Sequence, residues 1–326
     1  MDAYNSEKGE RRLSIYIPTF NRAACLRQLL GEIEDQLKEI KNRNDIEIVV
    51  SDNASQDNTE EVIREAKCKG VVDLYIRNDV NVGPDRNFLA AGRLTSGRYV
   101  WLLCDDDLPS TNSLQEVMSL IANYSNLGMF YLNRTKEEMT EVITSANGLR
   151  QLTSTGVLSA NELLVAVGKE LITASCLVLD RRAFSGKFTE LYGDSGRLIS
   201  PLALSIDALA LAGCGYVSSI PLVRYRHGNN SSWSDLWPWI WTVSIPMILS
   251  DAARHFSNST GNSTPWNELD ELKTRAVLIM LFRQRSHPKI VTDWIWIAKN
   301  ILFSRQFVTN ALLVLSKVAL RRRKST

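Results

Sequence analysis

The sequence predicts an α/β protein in which helices wrap a mostly parallel sheet. In the first half of the chain, short apolar segments alternate with segments whose apolar residues recur at helical spacing. The 326 residues, 44% hydrophobic and 23% charged, suit one large domain or one domain with an appendage. This composition excludes disordered and collagen-like classes, and a net charge of +2 gives no argument for nucleic-acid binding.

The first half of the chain supplies the alternating elements. In order, they are strand Leu13–Ile17, helix Ala24–Lys41, strand Ile46–Val50, helix Asn58–Lys67, strand Val71–Ile76, helix Pro84–Leu94 and strand Tyr99–Leu103. The first helix has leucine and isoleucine every three or four residues, and the second has Asn58 or Asp57 placed to cap it. The third helix has proline in its first turn. We expect Tyr99–Leu103, which is entirely apolar, to be a central strand.

The second half is less regular. Strand Leu171–Leu179, helix Pro201–Leu211 and strand Tyr216–Tyr225 are predicted between Met129 and Tyr225. From Trp233 onward the composition shifts, because seven of the eight tryptophans lie there and the segments have helical patterns. The last of them, Ile301–Arg323, is predicted to be an amphipathic helix with a basic end.

Polar clusters follow three of the predicted strands. They are residues 18–22, residues 51–57 and residues 104–107. Because the carboxyl ends of parallel strands meet at one edge of a sheet, we expect these clusters to converge, although they are far apart in sequence. Ligands of such sheets bind at that edge, so the chemistry is expected there.

The triplet Asp105–Asp107 gives the strongest signal. Adjacent carboxylates repel one another and raise each other's pKa unless a cation is present. Hard oxygen ligands of this kind suit Mg²⁺ or Mn²⁺, which are typically shared with substrate phosphates. The alternative is an Asp-rich turn that caps the helix beginning near Ser110.

Two further residues are candidates for ligand contacts. Asp52, beyond the second strand, can accept hydrogen bonds from a ribose or from a base N–H, or else it only forms a turn. Arg86 can lie near a diphosphate or pair with the acidic cluster. Neither GxGxxG nor GxxxxGKS/T occurs in the sequence, so phosphate handling must rest on a metal ion and isolated cations.

Four ordered motifs carry a resemblance to a known family. They are Ile-Pro-Thr-Phe-Asn-Arg at 17–22, Val-Val-Ser-Asp-Asn-Ala-Ser-Gln-Asp-Asn-Thr at 49–59, Asn-Val-Gly-Pro-Asp-Arg-Asn at 81–87 and Trp-Leu-Leu-Cys-Asp-Asp-Asp at 101–107. In this order and spacing the chain resembles family-2 glycosyltransferases of the GT-A fold, a Rossmann-like sheet wrapped by helices. Within that family it is similar to the abequosyltransferase-like enzymes of bacterial O-antigen assembly.

The resemblance implies roles for residues in these motifs. Pro18, Thr19 and Asn21 would lie by the nucleotide of a nucleotide-sugar donor, Asp52 would hold its base or ribose, and Arg86 would sit near it.

It also implies the composition of the metal site. Asp105 and Asp107 would form the Asp-x-Asp pair that binds a divalent ion together with the donor's ribose and diphosphate, with Asp106 in the same group. His227 would be a further metal ligand or diphosphate contact, and Arg226 would neutralise phosphate charge. Family members more often have an acid where Cys104 stands.

A catalytic base is harder to place. Relatives carry an acidic pair about a dozen residues ahead of a glycine, where this chain has Ser200-Pro201-Leu202. Asp194 and Asp207 are the nearest acids. Asp194 is the preferred base because its glycine neighbours indicate an exposed loop, whereas Asp207 falls in an apolar helix.

The resemblance also suggests a division of the chain. Residues 1–130 would bind the donor, residues 131–235 would form the acceptor-binding and catalytic half, and residues 236–326 would be a helical, Trp-rich, basic-ended region. That last region is expected either to lie on a membrane surface or to pack on the protein or on a second subunit. Five scattered cysteines and a polar N-terminus favour a cytoplasmic location. The resemblance suggests a peripheral position on the cytoplasmic face of the inner membrane.

The function expected from the sequence is an inverting, metal-dependent glycosyltransferase that acts on a saccharide acceptor, which the resemblance suggests is lipid-linked. One alternative is a nucleotidyltransferase acting on sugar phosphates. The other is a non-catalytic nucleotide-sugar-binding protein, which the missing acidic pair suggests.

Overall fold

A computed structural model describes residues 11–124, 126–136, 155–194, 198–226 and 239–260. The described residues divide into two compact units: residues up to 194 and residues 200–226 belong to the first, and residues 198–199 and 239–260 to the second. The second unit contains a π-helical turn, Ile240–Ser244, that leads into a helix, Ile245–Thr260.

Nine strands in the described part of the first unit form one mixed sheet. They are β1 (Leu13–Thr19), β2 (Ile46–Asp52), β3 (Leu74–Arg77), β4 (Tyr99–Leu102), β5 (Leu108–Pro109), β6 (Met129–Lys136), β7 (Gly156–Ser159), β8 (Leu177–Asp180) and β9 (Cys214–Tyr225). The order across the sheet is β3-β2-β1-β4-β8-β6-β9-β5, and β7 also pairs with β9.

Helices connect and cover these strands. They are α1 (Ala23–Leu37), α2 (Thr59–Cys68), α3 (Pro84–Leu89), α4 (Ala91–Leu94), α5 (Ser113–Asn123), α6 (Ala160–Val167) and α7 (Ser200–Ala212), with α8 (Ile245–Thr260) in the second unit. Short 3-10 turns at Gly168–Ile172 and Ala174–Cys176 lead into β8. The predicted α/β class is confirmed.

The first four strands are parallel, which places their carboxyl ends at one edge. β1 pairs with β2 on one side and with β4 on the other, so Leu13 lies opposite both Ile46 and Tyr99. β3 adds to β2 in the same direction. Every residue of β1, β2 and β4 is buried, as expected for parallel strands covered on both faces.

The other half of the sheet reverses direction and returns. β8 runs antiparallel to β4 and to β6, and β9 runs parallel to β6. β5, which follows directly after the acidic triplet, pairs with the far end of β9. This last pairing brings the end of β9 beside the triplet although more than a hundred residues separate them.

The core shows why the sequence pattern predicts these elements. α1 buries Leu26, Leu29, Leu30 and Ile33, the residues that recur on one helical face. Burial of each such side chain stabilises the fold by roughly 1.5–3 kcal/mol. In β4, Trp101 is fully buried, and its indole N–H donates to the carbonyl of Ser175 at 2.8 Å.

Several element bounds differ from those predicted. The predicted strand Leu171–Leu179 is a strand only from Leu177; before it, small polar residues such as Thr173 and Ser175 hydrogen-bond to other groups, which favours turns over regular pairing. The third strand begins at Leu74, not Val71, because Gly70 at φ 74° ends α2 and the chain must first turn back. The helix predicted at Pro84–Leu94 divides at Ala90 into α3 and α4.

Within the described residues, no helix has both the length and the apolarity needed to span a membrane. Three predicted features lie outside the residues that the structure describes: His227, the amphipathic segment Ile301–Arg323 and most of the tryptophans from Trp233 onward. Of those seven tryptophans, only Trp239 has a described side chain. The membrane and packing alternatives for that region therefore stay predictions.

Candidate active site

Four loops meet at the carboxyl edge of β1, β2, β3 and β4. The first loop comprises residues 20–22, the second residues 53–58, the third residues 78–83 and the acidic loop residues 104–107. The first, second and acidic loops, together with the last residues of β1 and β2, contain the three polar clusters found in the sequence. The convergence expected from a parallel sheet is therefore present.

The first and second loops are locked together. The backbone N–H of Asn53 donates to the Thr19 carbonyl at 2.9 Å. The backbone N–H of Asn21 donates to the Ser55 hydroxyl at 2.9 Å, and the Asn21 side-chain oxygen accepts from the backbone N–H of Gln56 at 2.7 Å. Asn21 and Ala54 have φ values of 53° and 67°, in the left-handed region that few residues other than glycine adopt. The local strain at Ala54 is held by this interlocking.

Asn53 fastens the third loop to the second. Its side-chain amide donates to Asn81 Oδ1 at 2.8 Å, and its side-chain oxygen accepts from the Val82 amide at 2.9 Å and from Asn78 at 3.1 Å. Since Asn53 is itself buried, these bonds are shielded from water. The sequence pattern alone did not assign Asn53 a role.

Asp52 lies at the predicted edge, at the end of β2, and is fully buried. Its Oδ1 accepts from the Ser55 amide at 2.8 Å, and its Oδ2 lies 3.3 Å from both the Tyr75 hydroxyl and the Arg77 Nε. These bonds shape the start of the second loop. The assignment of Asp52 to a base or ribose stays a prediction.

The three carboxylates of the acidic loop have different surroundings. Asp105 is buried, and its carboxylate accepts from the Thr19 hydroxyl at 2.7 Å and pairs with Arg22 Nη1 at 2.8 Å. The same Nη1 lies 2.7 Å from Asp106 Oδ2. Asp105 is therefore directed back toward the end of β1, together with Thr19.

Asp107 is fixed from the other half of the sheet. Its Oδ2 accepts from the Ser175 hydroxyl at 2.5 Å, and its Oδ1 accepts from the Arg226 amide at 3.2 Å. The Ser175 hydroxyl also accepts from the Cys104 amide at 3.1 Å. Ser175 thus orients both the start and the end of the acidic loop.

Arg226, expected to neutralise phosphate, is engaged with the acidic loop. Its guanidinium donates to the carbonyl of Asp106, to the carbonyl of Asp105 at 3.2 Å and to Gln28 Oε1 at 2.6 Å. These bonds tie the end of β9 to the loop. The positive charge still lies beside the carboxylates, but most of its donors are already used.

Burial raises the pKa of two of these carboxyl groups. The pKa of Asp107 rises to about 7, chiefly by desolvation and then by the neighbouring charge of Asp106. Desolvation also raises the pKa of Asp105 to about 6, against the opposing effect of Arg22. In both groups the main cause is burial, which disfavours the charged form of the carboxyl group.

A group that could hold a metal ion lies in the same loop. The ligand atoms of Cys104, Asp106 and Asp107 all lie within 4.8 Å of one another. Carboxylate oxygens suit Mg²⁺ and Mn²⁺, so the chemistry of this group fits a divalent ion. This group contains Asp106, whereas the sequence suggested Asp105 and Asp107 as ligands. Ligation of an ion by Asp105 stays a prediction.

The two candidate bases are placed very differently. Asp194 is half exposed and pairs with Arg86, with 2.7 Å between Oδ1 and Nε. Asp207 is buried in α7 and accepts from the amides of Phe188 at 3.0 Å and Thr189 at 2.6 Å. Asp207 is therefore a structural residue, whereas Asp194 and Arg86 stay predictions for the site.

The remaining predicted residue, Pro18, is buried in β1, one residue before the strand ends at Thr19. Sequence reasoning missed Arg22 and Ser175, which contact the acidic loop directly. The available signals were the position of Arg22 at the end of the first polar cluster and the presence of Ser175, a polar residue, within a mostly apolar stretch.

A second polar cluster lies on the β6 side of the edge. Arg134 donates to the Thr173 hydroxyl at 2.6 Å, pairs with Glu170 at 2.9 Å and lies over the ring of Tyr225 at 5.3 Å. Its Nε is buried without a partner among the described residues.

The fold can now be compared with those of solved structures. The structure superposes on that of Staphylococcus aureus TarS in complex with UDP-GlcNAc with a TM-score of 0.54 and 14% identity, covering 83% of this chain and 73% of that one. It superposes on the mannosyltransferase PcManGT of Pyrobaculum calidifontis, in complex with GDP-Man and Mn²⁺, with a TM-score of 0.51 and 16% identity, covering 96% and 81%. At these identities the likeness concerns the fold alone, and it confirms the GT-A fold.

The sequence comparisons then match one segment of the chain to a family. Residues 14–156 match the glycosyl transferase family 2 model, and we assign this segment to that family. Abequosyltransferase RfbV of Salmonella typhimurium is 38% identical over 136 residues, which are 41% of this chain and 39% of RfbV. The GalNAc(5)-diNAcBac-PP-undecaprenol beta-1,3-glucosyltransferase of Campylobacter jejuni is 31% identical over 108 residues, 33% of each protein. The matched segment thus spans well under half the length of either relative.

Proposed function

We propose that this protein is a glycosyltransferase that moves a sugar from a nucleotide-sugar donor to a saccharide acceptor with a divalent metal ion. One observation carries the proposal: the loops that follow β1, β2 and β4 meet around an acidic group in a family 2 domain. Both relatives described above carry names of sugar transferases, and the two solved structures hold nucleotide sugars.

The donor is proposed to bind across the carboxyl edge of β1 and β2, with its nucleotide at the first and second loops. Asn21 and Asn53 hold these loops in one conformation before the donor arrives. A site built this way loses little conformational freedom on binding, which favours affinity.

Asp106 and Asp107, with Cys104 beside them, would hold the ion, which when bound stabilises the negative charge on a departing nucleoside diphosphate. Ser175 and the Arg226 amide fix the Asp107 carboxylate from outside the group. Groups that orient a ligating carboxylate in this way typically matter for metal affinity nearly as much as the ligand itself.

The reaction is proposed to be a single displacement at the anomeric carbon with inversion, in which a base takes the proton of the acceptor hydroxyl. Asp194 is the proposed base, and Arg86, paired with it, would hold its carboxylate at the edge of the site. An acceptor carried on a lipid is proposed from the undecaprenol in the name of the Campylobacter relative. Such an acceptor would place the enzyme at a membrane surface.

Product analysis tests this function. The protein is incubated with a panel of nucleotide sugars and Mn²⁺, and released nucleotide is separated by chromatography. Nucleoside diphosphate is the expected product. In the absence of an acceptor it should form only slowly, by transfer of the sugar to water. In a parallel incubation with nucleoside triphosphates and sugar phosphates, release of pyrophosphate would instead identify a nucleotidyltransferase. Tight donor binding with no product in the presence of lipid-linked saccharides would identify a non-catalytic binding protein, which the absence of an acid at Ser200 and Pro201 favours as the second candidate.

A further inference from the structure

Arg22 holds an unusual position at the start of α1. Its Nη1 lies 2.8 Å from Asp105 and 2.7 Å from Asp106, so one nitrogen joins two carboxylates of the acidic loop. The Arg22 side chain is mostly buried, and Asp105 almost wholly so. Asp106, by contrast, also belongs to the group that could hold a metal ion. Arg22 and a bound cation would therefore share the carboxylate of Asp106.

The formal charges of the acidic loop depend on this residue. Arg22 pairs with two of the three carboxylates, and the guanidinium of Arg226 donates to backbone carbonyls of the same loop. Three negative and two positive groups leave a formal charge of −1. A divalent ion added to this loop makes the total positive. A free cation is therefore weakly attracted, whereas a cation that arrives with a diphosphate keeps the total charge negative or near zero.

We propose that Arg22 is a positioning residue that makes binding of the metal ion and binding of the donor diphosphate depend on each other. The inference rests on the proposed function. The charge of Arg22 opposes a free metal ion at Asp106 and attracts the diphosphate, so each ligand binds well only with the other. By linkage, the factor by which nucleotide tightens metal binding equals the factor by which metal tightens nucleotide binding.

A purely structural role for Arg22 gives a different expectation. If the guanidinium only neutralised Asp105, its loss would lower stability and weaken both ligands alike. If it couples the ligands, loss of its charge moves the two affinities in opposite directions. The interaction of charges a few ångströms apart near a protein surface exceeds the free energy of a tenfold change in affinity, so the effect is large enough to measure.

The experiment uses the full chain and two probes. Binding of Mn²⁺ alone is measured by the electron paramagnetic resonance signal of free Mn²⁺. It is then repeated with saturating UDP, GDP, CDP or dTDP, whichever wild type binds best. Arg22→Gln removes the charge, Arg22→Lys keeps it, and Arg27→Gln is the matched control. Arg27 also lies on α1 but is exposed and pairs with Glu65, away from the acidic loop.

We expect Arg22→Gln to bind Mn²⁺ alone about tenfold more tightly than wild type does. The coupling factor, which is the factor by which nucleotide tightens Mn²⁺ binding, should fall at least about tenfold. Arg22→Lys should retain most of the coupling, and Arg27→Gln should match wild type. Unchanged or weaker binding of Mn²⁺ alone, with the coupling factor intact, would overturn the inference. Should wild type bind no nucleoside diphosphate in a Mn²⁺-dependent way, the proposed function itself fails, and the inference fails with it.

A second pair of variants keeps the test valid if Arg22→Gln does not fold. Asp105→Asn with Arg22→Gln removes both charges of the buried pair, while asparagine can still accept from Thr19. Asp105→Asn alone is its reference, since these two proteins differ only by the charge of Arg22. The double variant should bind Mn²⁺ alone about tenfold more tightly than its reference. Equal Mn²⁺ affinity in the two proteins would contradict the role of Arg22.

Discussion

Three adjacent aspartates of the acidic loop have three different surroundings. Asp105 is closed off by Thr19 and Arg22, Asp106 lies between Arg22 and the candidate metal group, and Asp107 is held by Ser175 and by the Arg226 amide. Because neighbouring residues of a turn point in different directions, one short acidic segment can serve both the packing of the loop and the binding of a cation.

Ser175 is predicted to control metal affinity without being a ligand. Ser175→Ala removes the hydroxyl that donates to Asp107 Oδ2, so the carboxylate loses its fixed orientation. We expect Mn²⁺-dependent nucleotide binding to weaken about 10-fold or more, as for other groups that orient metal ligands. Titration calorimetry measures this, and Ser175→Thr, which restores the hydroxyl, should recover part of the loss. Wild-type affinity in Ser175→Ala would show that Asp107 needs no support.

Asp52 is predicted to act on the nucleotide and not on the acceptor. Asp52→Ala removes the carboxylate that fixes the second loop through the Ser55 amide, next to the proposed nucleotide position. Binding of nucleoside diphosphate, measured by calorimetry without any acceptor, should weaken about tenfold, as loss of a charge-assisted hydrogen bond implies. Glu60→Gln, an exposed change on α2, is the control. Unchanged affinity in Asp52→Ala would remove this residue from the donor site.

The raised pKa of Asp107 predicts a pH-dependent stability in chelator. Its folded pKa of about 7 lies above the usual value of 3.8, so the folded protein binds the proton more tightly than the unfolded chain does. The stability that this proton contributes is present at low pH and is lost as pH rises through about 7. Between pH 5 and pH 8, the free energy of unfolding of wild type should therefore fall by about 2 kcal/mol more than that of Asp107→Asn.

Thermal unfolding of both proteins in EDTA at the two pH values measures this difference. The melting temperature of Asp107→Asn relative to wild type should be higher at pH 8 than at pH 5 by roughly 4–8 °C, since 1 kcal/mol corresponds to about 2–4 °C in domains of comparable size. The same difference at both pH values would mean that the carboxyl group titrates near its usual pKa.

At the scale of elements, the site is made by strand ends and held by pairings between distant strands. The parallel strands β1, β2 and β4 deliver their loops to one edge, and the pairing of β5 with β9 delivers Arg226 to the acidic loop. α7 has a structural role, because its Asp207 accepts hydrogen bonds from the backbone amides of Phe188 and Thr189 in the segment that precedes the helix. At Gly186, an added Cβ would lie 2.2 Å from the Asp207 carboxyl carbon, so only glycine fits beside it.

Asp207→Ala separates structure from catalysis among the two acids suggested by the sequence. The change leaves the buried amides of Phe188 and Thr189 without an acceptor, at a cost of about 1–3 kcal/mol for each. We expect a lower melting temperature but nearly unchanged product release per folded molecule. Asp194→Ala, by contrast, should lower transfer while leaving the melting temperature almost unchanged, because its ion pair with Arg86 is exposed. A catalytic loss in Asp207→Ala with normal stability would reverse the two assignments.

Sequence patterns predicted the first half of the fold well because the evidence there is local. Buried parallel strands appear as apolar runs, and α1 shows its apolar face at helical spacing. The turns before β8 were not predicted, because an apolar run such as 171–179 does not reveal which carbonyls its serine and threonine contact. The position of Asp105 was equally hidden, since its partners Thr19 and Arg22 are more than eighty residues away.

For the whole molecule, our central claim is that a nucleotide sugar binds at the carboxyl edge of the sheet, together with a divalent ion held by the acidic loop. The first unit alone contains every residue to which this claim assigns a role. The sequence relatives and the fold agree with the claim at the level of family and architecture.

The most direct test is thermal unfolding of wild type and Asp107→Asn with a panel of nucleotide sugars, each with Mn²⁺ and with EDTA. A ligand at one hundred times its dissociation constant stabilises the folded state by about 2.7 kcal/mol. The account predicts that at least one nucleotide sugar raises the melting temperature of wild type by several degrees with Mn²⁺ and much less with EDTA. Asp107→Asn should lose the Mn²⁺-dependent part. Equal stabilisation of both proteins, with and without the metal ion, would contradict the account.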